Sequence, residues 1–278
     1  MKILNTRLWI LCLALLFAQA ALAQKSQSYQ SLLGKAEALY DIGKYDKALE
    51  ENLRVARLIS EKLSDNTLYT AWNATQRAKN YEAMGKFQEM NESIAEAKNL
   101  LSSIKNENPD EYLLAMSRIA EIYNTYGNPL KAIQLLSEAS SVQSDNPYVV
   151  AALSQQKAQA YYSWGGFQKA HNTIDSLITL RKSLIEDKAL AAQLSKNRRK
   201  SNKQQLAQLY TLKARVYIKS GFYEQADSVL NASNVLVRRS LGVTSTGYMK
   251  HLIAFAEIYD AQENFSKAID YTQMAQRA

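Results

Sequence analysis

Ala120-Glu-Ile-Tyr123-Asn-Thr-Tyr-Gly127-Asn-Pro129-Leu-Lys-Ala132 is the stretch that decides the fold. A small residue is followed three places on by tyrosine, then by a glycine, then by a helix-starting residue and a second alanine. The same order recurs five more times. Ala36, Gly43, Tyr45 and Ala48 carry it first, with Leu39 in the tyrosine place, and Ala78, Tyr81, Gly85 and Phe87 carry it second. Ala158, Tyr161, Gly165, Phe167 and Ala170 repeat it, as do Ala214, Tyr217, Gly221, Tyr223 and Ala226. The sixth copy is Ala256, Tyr259, Phe265 and Ala268, with Glu263 where the others have glycine.

Each place has a physical reason. Alanine lets two helices approach closely, and an aromatic three residues on lies near the same helix face. This predicts that the repeat tyrosines, Tyr123 and Tyr161 among them, are core. Glycine ends the first helix because it enters the left-handed region at little cost. The aromatic two residues later opens the second helix. Five of the nine glycines fall at this one turn. All three prolines, Pro109, Pro129 and Pro147, follow asparagine and precede a helical pattern. Asparagine caps the free amides, and proline at the first helical position forfeits no hydrogen bond.

The turn positions 43, 85, 127, 165, 221 and 263 are 42, 42, 38, 56 and 42 residues apart. Paired helices are predicted over 26–63, 66–104, 109–143, 147–195, 203–240 and 246–278. The 56-residue interval reads as an extended fourth hairpin, with a disordered insert as the rival reading.

This framework resembles the tetratricopeptide repeat (TPR) over nearly all of residues 24–278. The usual period is about 34 residues, so the repeats are long and look like the 42-residue kinesin-light-chain kind. The resemblance implies an all-α, right-handed superhelical solenoid of about six TPR-like hairpins. Neighbour contacts stabilise such an array.

The first 23 residues differ. Lys2 and Arg7 precede the apolar run Leu8–Ala18, and Ala21-Leu22-Ala23 follows, the pattern of a secretory signal peptide cleaved after Ala23. The run falls short of the ~20 residues that a spanning helix needs, so no transmembrane segment is expected after cleavage. The only cysteine, Cys12, leaves with the leader. The remaining 255 residues then hold neither a disulfide nor a thiolate site. Net charge falls from +8 to +6 on losing the leader, an excess that reads as spread through the chain. One dense basic cluster, Lys196, Arg198, Arg199, Lys200 and Lys203, reads as a solvated turn. Export argues against nucleic acid. We therefore expect an exported bacterial protein, periplasmic, cell-surface or secreted.

Chemistry-bearing motifs are absent. His171 and His251 show no metal-ligand companion at helical spacing, His171 reads as a half-exposed surface residue, and no phosphate loop or nucleophile elbow occurs. The chain is expected not to be an enzyme, with no catalytic residue, metal or cofactor.

Binding remains. In arrays of the resembled kind the first helices line a concave groove. By position in the repeat, this implies an exposed set of Tyr40, Trp72, Lys79, Arg118, Glu121, Gln159, Tyr162, Arg215 and Glu257. Trp72 is the leading anchor, since aromatic anchors dominate interfaces; its alternative is packing between the first two repeats. Leu33, Thr75, Ser117, Gln155 and Thr211 stand where a carboxylate clamp would be, so a chaperone tail is not the expected ligand. The expected function is a scaffold that docks a protein or peptide. The alternative is a sensory or regulatory arm of a longer enzyme or signalling protein continuing past Ala278.

Overall fold

A computed structural model describes residues 29–61, 67–186 and 196–278, the last without the side chains of 196–199. The expected leader, 1–23, and the expected far end of the fourth hairpin, 187–195, lie outside the described residues.

Twelve helices and no strand occur among the described residues. They are α1 (29–41), α2 (Tyr45–Ser60), α3 (Thr67–Ala83), α4 (Phe87–Ile104), α5 (Pro109–Thr125) and α6 (Pro129–Ala139). Then follow α7 (Pro147–Trp164), α8 (Phe167–Glu186), α9 (Lys196–Lys219), α10 (Tyr223–Leu241), α11 (Thr246–Ala261) and α12 (Phe265–Arg277). They form two compact units, Met1–Ile122 and Tyr123–Ala278. No helix among the described residues is long and apolar enough to cross a membrane.

The turn within each hairpin is built the same way. Gly43, Gly85, Gly127, Gly165 and Gly221 have φ between +71° and +88°. The amide that follows folds back onto the carbonyl five residues earlier: Lys44 on Leu39, Lys86 on Tyr81, Asn128 on Tyr123, Gly166 on Tyr161, Phe222 on Tyr217 and Asn264 on Tyr259. This closure satisfies a carbonyl that the helix end leaves free. The repeat tyrosine thus marks the residue whose carbonyl receives the cap. Glu263 takes the same left-handed geometry at φ +57°, a conformation that costs a non-glycine residue about 1–2 kcal/mol. The asparagines act as expected before two prolines: Asn128 accepts from the Lys131 amide and Asn146 from the Tyr148 amide.

Three expectations need correction. First, the basic cluster is not a solvated turn: α9 begins at Lys196, seven residues before the expected 203, so those residues lie on its first turns. Second, Tyr123 and Tyr161 are half-buried rather than core. They sit in the last turn of a helix whose chain is about to reverse, leaving a ring face for Lys131 at 5.5 Å and Lys169 at 5.7 Å. Third, Ala256 is half-exposed, whereas Ala36, Ala78, Ala120, Ala158 and Ala214 are buried.

The true core ridge lies on the second helices. Ile94 occupies it in unit 1, and Leu136, Ile174 and Leu230 occupy it in unit 2, all at most 2% exposed. In α2 the same register holds Asn52, fully buried. A buried amide needs partners, and here it has them. Asn52 Nδ2 donates to Asn73 Oδ1 (3.1 Å) and Gln76 Oε1 (2.8 Å), and Asn80 Nδ2 donates to Asn52 Oδ1 (2.9 Å). Two turns beyond the ridge, unit 2 places Arg181 where α4 and α10 place Leu101 and Val237.

Candidate functional site

Five of the nine sequence-derived residues gather in unit 1. The Lys79 ammonium lies over the Tyr40 ring at 4.5 Å and 3.9 Å from Glu121. Arg118 pairs with Glu37 at 3.3 Å and covers the Trp72 ring at 4.5 Å. Trp72 Nε1 donates to Glu111 Oε2 at 3.2 Å. Its polar partners are thus on α5, in the third hairpin. Burial, then the nearby Glu82 carboxylate, pushes the Tyr40 hydroxyl up to about 12. The crevice among Glu37, Tyr40, Lys79 and Arg118 holds about 20 Å³, room for one water-sized group. Charge here is satisfied internally.

The other four residues lie in unit 2. Arg215 lies over the Tyr162 ring at 5.2 Å. Burial raises the Tyr162 hydroxyl pKa, Arg215 opposes that rise, and Glu257 adds to it, so the ring sits within the field of both charges. Among the described residues no carboxylate comes within ion-pairing distance of Arg215. Glu257 Oε2 is buried and accepts no hydrogen bond. Gln159 donates to Ser163 Oγ at 3.2 Å.

The nine sequence-derived residues do not include Glu37 and Glu111. The signal for Glu37 was present: it follows Ala36 as Lys79, Glu121, Gln159, Arg215 and Glu257 follow their own alanines. Glu111 has no such marker, since its role depends on how α5 lies against α3.

Three further polar features stand outside the nine residues. His171 does have a companion at helical spacing: its Nε2 lies 3.3 Å from Asp175, whose other oxygen is 2.7 Å from Lys213. The trio ties α8 to α9, and His171 is half-exposed as expected. His251 is fully buried between Tyr248 and Phe255, with Nδ1 3.0 Å from the Thr211 hydroxyl. Burial lowers its pKa to about 4, opposed by the Leu230 backbone. Arg181 is 3% exposed; it donates to Asn202 Oδ1 (2.6 Å) and Gln155 Oε1 (3.4 Å), and burial lowers its pKa to about 10. Among the described residues no group of three His, Cys, Asp or Glu could hold a metal ion.

Nor is the positive charge spread through the chain. Residues 123–278 hold 19 Lys and Arg against 11 Asp and Glu, while residues 1–122 hold 15 of each. The cause is local: 181–203 alone contains eight basic residues and two acidic ones.

No family model matches the sequence, and no curated protein does. Solved structures do match. BtubC from P. vanneervenii superposes with a TM-score of 0.58 over 85% of this chain and 88% of its own, at 16% identity. Kinesin-light-chain TPR-like repeats from Podosopora anserina give 0.52 over 76% and 94%, at 19% identity. The fold is therefore all-α and TPR-like. This chain is similar in fold to those two structures.

Proposed function

We propose that the chain is an exported bacterial scaffold that holds a protein or peptide on the first-helix faces of its hairpins and catalyses no reaction. One observation carries this reading. Half-exposed aromatic and charged side chains of successive first helices recur at fixed registers and gather into a cluster in each unit. Aromatic and arginine side chains in such settings are the usual interface anchors. The leader pattern before Gln24 supports export.

Recovery of partners from bacterial envelope extract by wild type and by an Arg118→Glu, Arg215→Glu variant tests the binding surface. We expect the variant to lose the specific partners; equal recovery by both would remove the first-helix faces from the account. N-terminal sequencing of the protein made in a bacterial host tests export. A mature start at Gln24 is expected, and an intact Met1 would contradict it.

A further inference from the structure

Hairpins one to three and four to six correspond place by place. Tyr40, Lys79 and Glu121 map onto Tyr162, Arg215 and Glu257, each at the same distance from its repeat alanine. The side chains that close the first cluster do not carry over. Glu37 becomes Gln159, Arg118 becomes Ala254, Trp72 becomes Gln208 and Glu111 becomes Gly247. Where Trp72 and Glu111 fill unit 1, unit 2 has a recess of about 340 Å³, lined by Gln204, Gln208, Ser245 and Gly247 among others. Glu257 also borders a cleft of about 650 Å³ beside Ile253 and Phe265. Both volumes lie in or near the range of small-ligand sites, and the unit 1 crevice does not.

We infer that unit 2 is the ligand-holding half, and that its site takes an extended, uncharged polar peptide whose backbone bridges Arg215 and Glu257. This rests on the scaffold reading above. A peptide unit offers one acceptor and one donor. Its carbonyl accepts from the guanidinium, which the Tyr162 face holds in place, and its N–H donates to the Glu257 carboxylate. Gln208 and Arg215 are seven residues apart on α9, about 10 Å along the axis. An extended chain covers that span with about three residues. A side chain set in the recess then meets amides, hydroxyls and the Leu241 side chain, with no charged residue in the lining. An acidic partner fits less well at the cluster, because the Glu257 carboxylate acts on the same Tyr162 ring as Arg215.

Fluorescence anisotropy on the full chain tests this, using a labelled short Ser/Asn/Gln peptide and versions with glutamate or lysine at alternate positions. Circular dichroism melts of every variant confirm folding. The neutral peptide is expected to bind best. Arg215→Gln and Glu257→Ala should each weaken it by about tenfold, as loss of a charged hydrogen bond does. Glu257→Gln, which keeps an acceptor, should restore most of that loss, and Gln208→Trp should block the recess. Lys79→Gln in unit 1 should weaken binding less than Arg215→Gln does. Backbone N-methylation of the peptide should weaken wild type and leave Glu257→Ala indifferent. Tightest binding of the glutamate peptide, or equal effects of Lys79→Gln and Arg215→Gln, would overturn the inference and leave the scaffold reading standing. Binding of none of the three peptides would overturn both.

Discussion

The clusters Tyr40–Lys79–Glu121 and Tyr162–Arg215–Glu257 occupy the same registers of the same repeat, yet only the first is closed. In unit 1 every cation on the face has an acid at hand, and Trp72 fills the space beside them. In unit 2 the equivalents of the second ion pair are Gln159 and Ala254, and no aromatic fills the recess. The backbone repeat fixes where a side chain stands. Whether its charge is available depends on residues one or two hairpins away. Side chains at one register differ even within unit 1, where the ridge position is polar in α2, through Asn52, and apolar in α4, through Ile94.

The largest effect is expected on that apolar ridge. Leu230→Ala should cost about 2–5 kcal/mol in chemical denaturation, the range for emptying a well-packed core site. A loss below 1 kcal/mol would mean that the ridge is not the core of unit 2. Next comes the pH dependence of His251. Its folded pKa, about 4, lies below the ordinary 6.5, so the neutral ring is favoured by folding. The associated stability is complete above pH 6.5 and is lost as pH falls towards 4, by about 3 kcal/mol in all. His251→Gln should flatten that slope, and an unchanged slope would show that another group causes it.

Asn52→Ala should cost about 1–3 kcal/mol by stranding the Asn73 and Asn80 amides. Replacing both Asn52 and Asn80 by leucine should recover part of that cost, which would show that the polar ridge specifies pairing rather than strength. A smaller gain should come from Glu263→Gly, about 1 kcal/mol or slightly more, because the left-handed turn no longer strains a side chain. A melting temperature that does not rise would place Glu263 in an interaction of its own.

Much of this fold is legible in the sequence because its signals are local. Pro109, Pro129 and Pro147 start helices, Gly43 and its equivalents end them, and Tyr45, Phe87 and Phe167 open the second helices where expected. What the sequence hides is set by contacts across helices. Asn52 and Asn73 are 21 residues apart, and Thr211 and His251 are 40 apart. No local pattern shows that their side chains meet. The tyrosines misled for a related reason: spacing puts them on the core-facing side but does not reveal that one ring face is left to Lys131 or Lys169 of the next helix. The groove residues were found by register alone, and register cannot distinguish Arg118, paired with Glu37, from Arg215, which lies over the Tyr162 ring with no carboxylate in ion-pairing distance among the described residues.

A double-mutant cycle at each register-equivalent pair tests the contrast most directly, with stability read by denaturation of Lys79→Ala, Glu121→Ala and their double, and of Arg215→Ala, Glu257→Ala and their double. The closed pair is expected to couple by about 0.2–1 kcal/mol, as exposed ion pairs do, and the open pair not at all. Coupling between Arg215 and Glu257 equal to or larger than that between Lys79 and Glu121 would show that the second cluster is closed too.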